Sequence, residues 1–145
     1  MKAVLIMGSK CIFCEIINGE QSAKKIYEDD DTLAFLAKSN DVFGHTVIIP
    51  KQHVHDLLDC AQPLLNQTMR TLKHVATYYV ENCGFSGINI LNANGIAAEQ
   101  SVPHLHFHII PRMESDTDHA WPNFTAHPHS LEEAYQKLTM MGEQK

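Results

Sequence analysis

His104, His106 and His108 stand two residues apart, with Leu105 and Phe107 between them and Ile109 after. Successive side chains of an extended chain leave opposite faces. The spacing therefore predicts three imidazoles on one face of a strand over 104–111, with Cβ atoms about 7 Å apart. Leu105, Phe107 and Ile109 would point the other way, into a core. A single histidine is most often a structural residue, but no packing need asks for a row of three. Imidazole can act as nucleophile, as general acid or base, or as metal ligand. No Asp or Glu shares the strand, which turns the reading from carboxylate chemistry toward phosphorus. A neutral ring nitrogen can attack phosphorus, and water can cleave the phospho-imidazole that results. Nearby donors can hold the non-bridging oxygens. Gln100 and Ser101 precede the row and could supply them. The loop Asn92-Ala93-Asn94-Gly95 adds amides, although the same residue types also make a plain turn.

A second constellation is Cys11-x-x-Cys14. Two thiolates at this spacing can grip Zn²⁺ if two further ligands complete a tetrahedron. A redox pair and two core cysteines are the other readings. No second CxxC exists, so the remaining ligands would be histidines, with His53 and His104 as candidates. Only the fold can bring them together.

The elements that must position these groups follow from periodicity. Ile12, Phe13, Ile16 and Ile17 have helical spacing, and Asn18-Gly19 can end that helix. Strands over 26–28 and 32–36 flank the acidic turn Asp29-Asp30-Asp31 as a hairpin. A loop over 40–45 leads to a β-branched strand over 46–49 that stops at Pro50. Residues 51–59 read as irregular. A long helix starts near Pro63 and carries Leu64, Leu65, Thr68, Met69, Leu72, Val75, Ala76 and Tyr79, with Gly84 as its stop. A strand over 88–91 and a polar loop over 92–99 lead into the histidine strand. Residues 112–129 read as a loop holding Trp121, Phe124, His119, His127 and His129. Ser130, with Glu133 three residues on, opens a last helix. Strands joined by hairpin-length connections and two separated main helices indicate an α+β fold with a mostly antiparallel sheet.

The chain has 145 residues, 44% hydrophobic and 19% charged, which suits one globular domain over 11–145 preceded by an N-terminal extension over 1–10. Its formal charge of −6 argues against a nucleic-acid binder. Ten histidines make that balance depend strongly on pH. No apolar run reaches 18 residues, so no membrane span is expected. With four cysteines and no secretion signal, a cytoplasmic location with reduced thiols is expected.

The run His104-Leu105-His106-Phe107-His108-Ile109-Ile110 resembles the signature of the histidine triad (HIT) superfamily. In chain order, so do Cys11-Ile12-Phe13-Cys14-Glu15-Ile16-Ile17, Ala34-Phe35-Leu36, Gly44-His45-Thr46-Val47-Ile48-Ile49-Pro50-Lys51-x-His53 and Gln100-Ser101-Val102. Together they resemble the Hint-like bacterial branch. The resemblance implies a five-stranded antiparallel sheet with two main helices, joined across a homodimer into ten strands. It implies a hydrolase or transferase acting at the α-phosphorus of a purine nucleotide or nucleotide conjugate. His106 matches the nucleophile, His108 a phosphate-contacting histidine, and Gln100 and Ser101 the phosphate and leaving-group contacts. Ile12, Phe13, Ile16, Phe35 and Leu36 match the base and ribose side. Cys11, Cys14, His53 and His104 match the ligands of a structural zinc. His45 is expected to support the site or to pack.

The chain departs from the family pattern at three places. Ala37 stands where an Asp usually binds the ribose hydroxyls. Ala93 stands where the pattern has Asn, with Asn92 and Asn94 on either side, so Asn94 is the candidate substitute. Glu99 replaces the usual Gly before Gln100. Losing one charged hydrogen bond typically costs about 1.5–3 kcal/mol. These changes therefore motivate an alternative expectation: a nucleotide-binding or regulatory protein with little turnover.

Overall fold

The computed structural model describes residues 11–142 except 40, 120, 121 and 123. The expected N-terminal extension over 1–10 and the role considered for Trp121 lie outside the described residues. The elements are α1 (Ile12–Ile17), β1 (Lys25–Glu28), β2 (Thr32–Leu36), β3 (Thr46–Pro50), α2 (Gln62–Asn82), β4 (Gly87–Leu91), β5 (Phe107–Arg112) and α3 (Leu131–Leu138). The strands form one antiparallel sheet in the order β1-β2-β3-β5-β4. This is the expected α+β architecture with five antiparallel strands.

Alternation along the strands decides what covers each face. Leu33, Phe35, Val47 and Ile49 meet Phe13 and Ile16 of α1 in one cluster. Ala34, Ile48, Phe107 and Ile109 meet Leu72, Val75 and Tyr79 of α2 in the other. α2 starts with Pro near its first turn, where a missing N–H costs nothing, and runs 21 residues. The acidic turn closes because Asp29 accepts hydrogen bonds from the backbone N–H groups of Asp31 and Thr32 and from the Thr32 hydroxyl. Ser130 and Glu133 form the expected capping box at α3.

The histidine strand needs a correction. β5 begins at Phe107, so His104 and His106 precede the ladder. The β3–β5 pairing ends at Ile48↔Phe107, and the β4–β5 pairing ends at Leu91↔His108. Before that point the backbone is held by loops instead. The N–H of Leu105 donates to the Val54 carbonyl and the N–H of His104 to that of Val102, both at 2.8 Å. The chain stays extended enough for the alternation to survive. Leu105, Phe107 and Ile109 are buried in the α2-side core, while His104 and His106 touch Phe13 on the α1 side.

Candidate functional site

Cys11 caps α1, its sulfur accepting the N–H of Cys14 at 3.4 Å. One helical turn later Cys14 points the same way. His53 arrives from the irregular segment after β3, and His104 from the bend before β5. Their side chains converge: Cys11 Sγ lies 3.4 Å from His104 Nδ1, Cys14 Sγ 3.3 Å from His53 Nδ1, and the two Nδ1 atoms 3.2 Å apart. All four ligand atoms lie within 4.8 Å of one another. Ligands on a tetrahedral Zn²⁺ with bonds of about 2.3 Å to sulfur and 2.0–2.1 Å to nitrogen stand roughly 3.3–3.8 Å apart. The four pairs at 3.2–3.6 Å are close to that spacing.

The tautomer of His104 fits as well. Nε2 of His104 lies 2.8 Å from the Pro50 carbonyl oxygen. Only an N–H can donate there, so Nδ1 keeps its lone pair toward the sulfurs. Burial holds His104 down to about 4, which keeps the ring neutral. Burial and the adjoining Cys11 thiol push Cys14 up to about 12. Two soft sulfurs and two neutral imidazoles are a zinc donor set, and a bound cation would reverse the thiol shift.

His106 shows the same device in mirror image. Its Nδ1 donates to the carbonyl oxygen of His104 at 2.8 Å, so Nε2 carries the lone pair. Burial lowers its pKa, against the opposing hydrogen bond from the His104 carbonyl. Phe13 packs edge-on against it, ring centroids 5.2 Å apart. His108 follows, its ring centroid 4.9 Å from that of His106. A buried, neutral, tautomer-locked imidazole is a competent nucleophile.

Other predicted residues lie close by in unequal roles. Phe13, Ile16 and Phe35 are buried in the α1-side core, whereas Ile12 is exposed and Leu36 half-buried. Ala37 packs beside that core. Ser101 is exposed. Gln100 spends its amide on the loop: its Nε2 donates to the carbonyls of His55 and Val102, and its Oε1 accepts the N–H of Gly95. Asn92 donates to the His106 carbonyl at 2.9 Å, Asn94 donates to Asn92, and the side-chain oxygen of Asn94 accepts the N–H of Leu57 at 2.8 Å. These amides brace the backbone on which His106 sits. His119, His127 and His129 are exposed in the tail.

Sequence reasoning missed Asp41 entirely and left the role of His45 open. His45 Nδ1 lies 2.8 Å from the Asp41 carboxylate, and His45 Nε2 lies 2.8 Å from His108 Nδ1. The signal was a carboxylate four residues before a histidine, within a loop that no periodicity marks. Gly44 lets that loop close. Its φ is +81°, and a Cβ there would come within 3.1 Å of Pro111. A cavity of about 280 Å³ adjoins Asp41, lined also by Phe43, Phe85, Arg112, Asp116 and Asp118. None of the predicted site residues lines it.

Comparison with known proteins identifies the family. The model of the HIT domain matches residues 18–115. An uncharacterized HIT-like protein of Methanocaldococcus jannaschii is 44% identical over 73% of this chain and 81% of its own length. An adenosine 5′-monophosphoramidase of Saccharomyces cerevisiae is 35% identical over 79% of this chain and 70% of its own. Among solved structures, a zinc-bound histidine triad family protein from Mycobacterium smegmatis superposes with a TM-score of 0.70 at 34% identity, covering 74% of this chain and 78% of that one. The chain belongs to the HIT family.

Proposed function

We propose that this protein is a nucleotide hydrolase or transferase that cleaves at the α-phosphorus of nucleoside phosphoramidates or dinucleoside polyphosphates through a nucleotidylated His106. The observation that carries this is the 2.8 Å hydrogen bond from His106 Nδ1 to the His104 carbonyl, which commits the ring to one tautomer. Nε2 attacks phosphorus. The new N–P bond forms as the bond to the leaving group breaks, and Ser101 or a neighbouring histidine returns a proton to that group. Water then attacks the adduct, releasing nucleoside monophosphate and restoring the imidazole. His108 contacts the phosphate oxygens. The nucleoside lies against the side formed by Ile12, Phe13, Ile16, Phe35 and Leu36. The similarity to an adenosine 5′-monophosphoramidase supports this substrate class.

Cys11, Cys14, His53 and His104 would hold one zinc ion. The ion would be structural, because four protein ligands leave no open position. A homodimer joined through β4 into a ten-stranded sheet is supported by the place of β4 at the sheet edge, with Ile90 and Leu91 exposed. We place the protein in the cytoplasm. Its four cysteines are free thiols, and no helix among the described residues is long and apolar enough to cross a membrane.

A second reading, nucleotide binding with little turnover, is favoured by Ala37 and by the internal bonding of Asn92 and Asn94. A fluorogenic adenosine phosphoramidate assay decides between the two. The native chain should turn over, and His106→Asn should lose at least about a hundredfold. Equal rates for the two proteins would remove the mechanism. Nucleotide binding by calorimetry without turnover would select the second reading.

A further inference from the structure

The hydrogen bonds around His45 define a proton inventory. A carboxylate only accepts, so the proton between Asp41 and His45 belongs to His45 Nδ1. One more proton lies between His45 Nε2 and His108 Nδ1. It has two possible homes. If it sits on His108, then His45 is neutral and His108 offers a bare Nε2 lone pair to the site. If it sits on His45, that ring is an imidazolium beside a carboxylate, and neutral His108 carries its other proton on Nε2. Only the second arrangement lets a neutral His108 donate to a phosphate oxygen.

We propose that Asp41 and His45 form a proton-holding pair that turns His108 into a hydrogen-bond donor when an anionic phosphate ligand binds, so that binding takes up one proton from solvent. This rests on the nucleotide reading above. It makes Asp41 and His45 positioning residues that act through His108. The shared proton passes from His108 Nδ1 to His45 Nε2, the proton taken up from solvent goes to His108 Nε2, and no bond between heavy atoms changes.

The surroundings agree. His45 is faced by Asp41 from its own loop and by His108 from β5, with His106 beside His108. Burial, then His106 and His45, hold His108 down to about 4, so the free ring is neutral near pH 7. The hydrogen bond from His45 brings Asp41 down to about 2, which keeps it a carboxylate. The other charged groups on the cavity beside Asp41 are Arg112, Asp116 and Asp118. Arg112 is committed to the Asp116 carboxylate, the Asp118 carbonyl and Asn89. The side chain of Asp41 is 56% exposed and that of His45 12%, so the pair links a wet carboxylate to a sheltered ring.

The test is calorimetric titration of the full chain with the methyl ester of AMP, which stays a monoanion between about pH 5 and 9, in buffers of differing ionisation enthalpy. The native protein should take up about one proton per ligand near pH 8. Asp41→Asn should abolish most of that uptake and bind about tenfold more weakly there, with the gap closing to about threefold near pH 5.5. Asp41→Glu should recover part of both effects. Binding without proton uptake, or uptake unchanged in Asp41→Asn, overturns the relay and leaves the nucleotide reading standing. No binding by native protein overturns both. Should Asp41→Asn fail to fold, histidine-¹⁵N spectra of the native protein decide. His108 should change from the Nδ1–H to the Nε2–H form on binding, and an unchanged Nδ1–H form refutes the proposal.

Discussion

The ring of His106 hangs on the backbone of His104: Nδ1 of the one donates to the carbonyl oxygen of the other at 2.8 Å. The His104 side chain meanwhile joins Cys11, Cys14 and His53. One residue thus gives its ring to the candidate metal cluster and its carbonyl to the proposed nucleophile. Whatever fixes the cluster also fixes the tautomer of His106.

Metal removal should therefore act on both stability and rate. Protein purified without chelator should contain about one zinc per chain. Stripping it should lower Tm by roughly 10 °C, from about 4 kcal/mol of linkage when free metal exceeds Kd a thousandfold. Phosphoramidate turnover should fall with it and return on adding zinc. Cys14→Ala should reproduce the loss and be insensitive to chelator. An unchanged Tm in zinc-free protein would count against the ligand set.

The chain of amides from Leu57 through Asn94 and Asn92 to the His106 carbonyl should be worth more to structure than its polarity suggests. Asn94→Ala leaves the Leu57 N–H without its acceptor and should destabilise by about 1–3 kcal/mol in urea unfolding. If these asparagines served only a ligand, stability would not change and nucleotide affinity alone would fall.

Glu99 takes a left-handed backbone, φ 63°, at the end of the short 3₁₀ turn Ile96–Ala98. A side chain there costs about 1–2 kcal/mol, and glycine returns part of that through its more flexible unfolded state. Glu99→Gly should raise stability by about 0.5–1 kcal/mol, measured by thermal or urea unfolding.

Acidification should destabilise the protein through His108. Burial lowers His108 to about 4, while the unfolded value is near 6.5. Between those values the unfolded chain binds more protons, so stability is full above about pH 6.5 and is lost as pH falls toward 4. The slope is about 1.4 kcal/mol per pH unit for each such proton. Urea unfolding of His108→Asn across this range should show a slope shallower by about one proton.

Periodicity carried most of the fold. The alternation of Leu105, Phe107 and Ile109 placed the core side of β5 correctly, because a side chain's face depends only on local extension. It could not tell that the ladder begins at Phe107, because pairing depends on where β3 and β4 end. The two cysteines are one helical turn apart and were readable as a pair. Their meeting with His53 and His104 is a tertiary event: those histidines stood as candidates by residue type, the family resemblance singled them out as a set, and only the fold brings them together. Gln100, Asn92 and Asn94 were read by side-chain type as ligand donors, yet the fold turns their amides onto its own backbone. The Asp41–His45–His108 line escaped because nothing local ties a loop carboxylate to β5.

On the proposed mechanism His106 forms a bond to the α-phosphorus. Native protein should be mixed with an adenosine phosphoramidate, quenched in alkali to preserve the acid-labile adduct, digested, and read by mass spectrometry. One AMP should be found on the peptide containing His106 and none in His106→Asn. AMP on another residue, or full turnover by His106→Asn, would rule out a nucleotidylated His106.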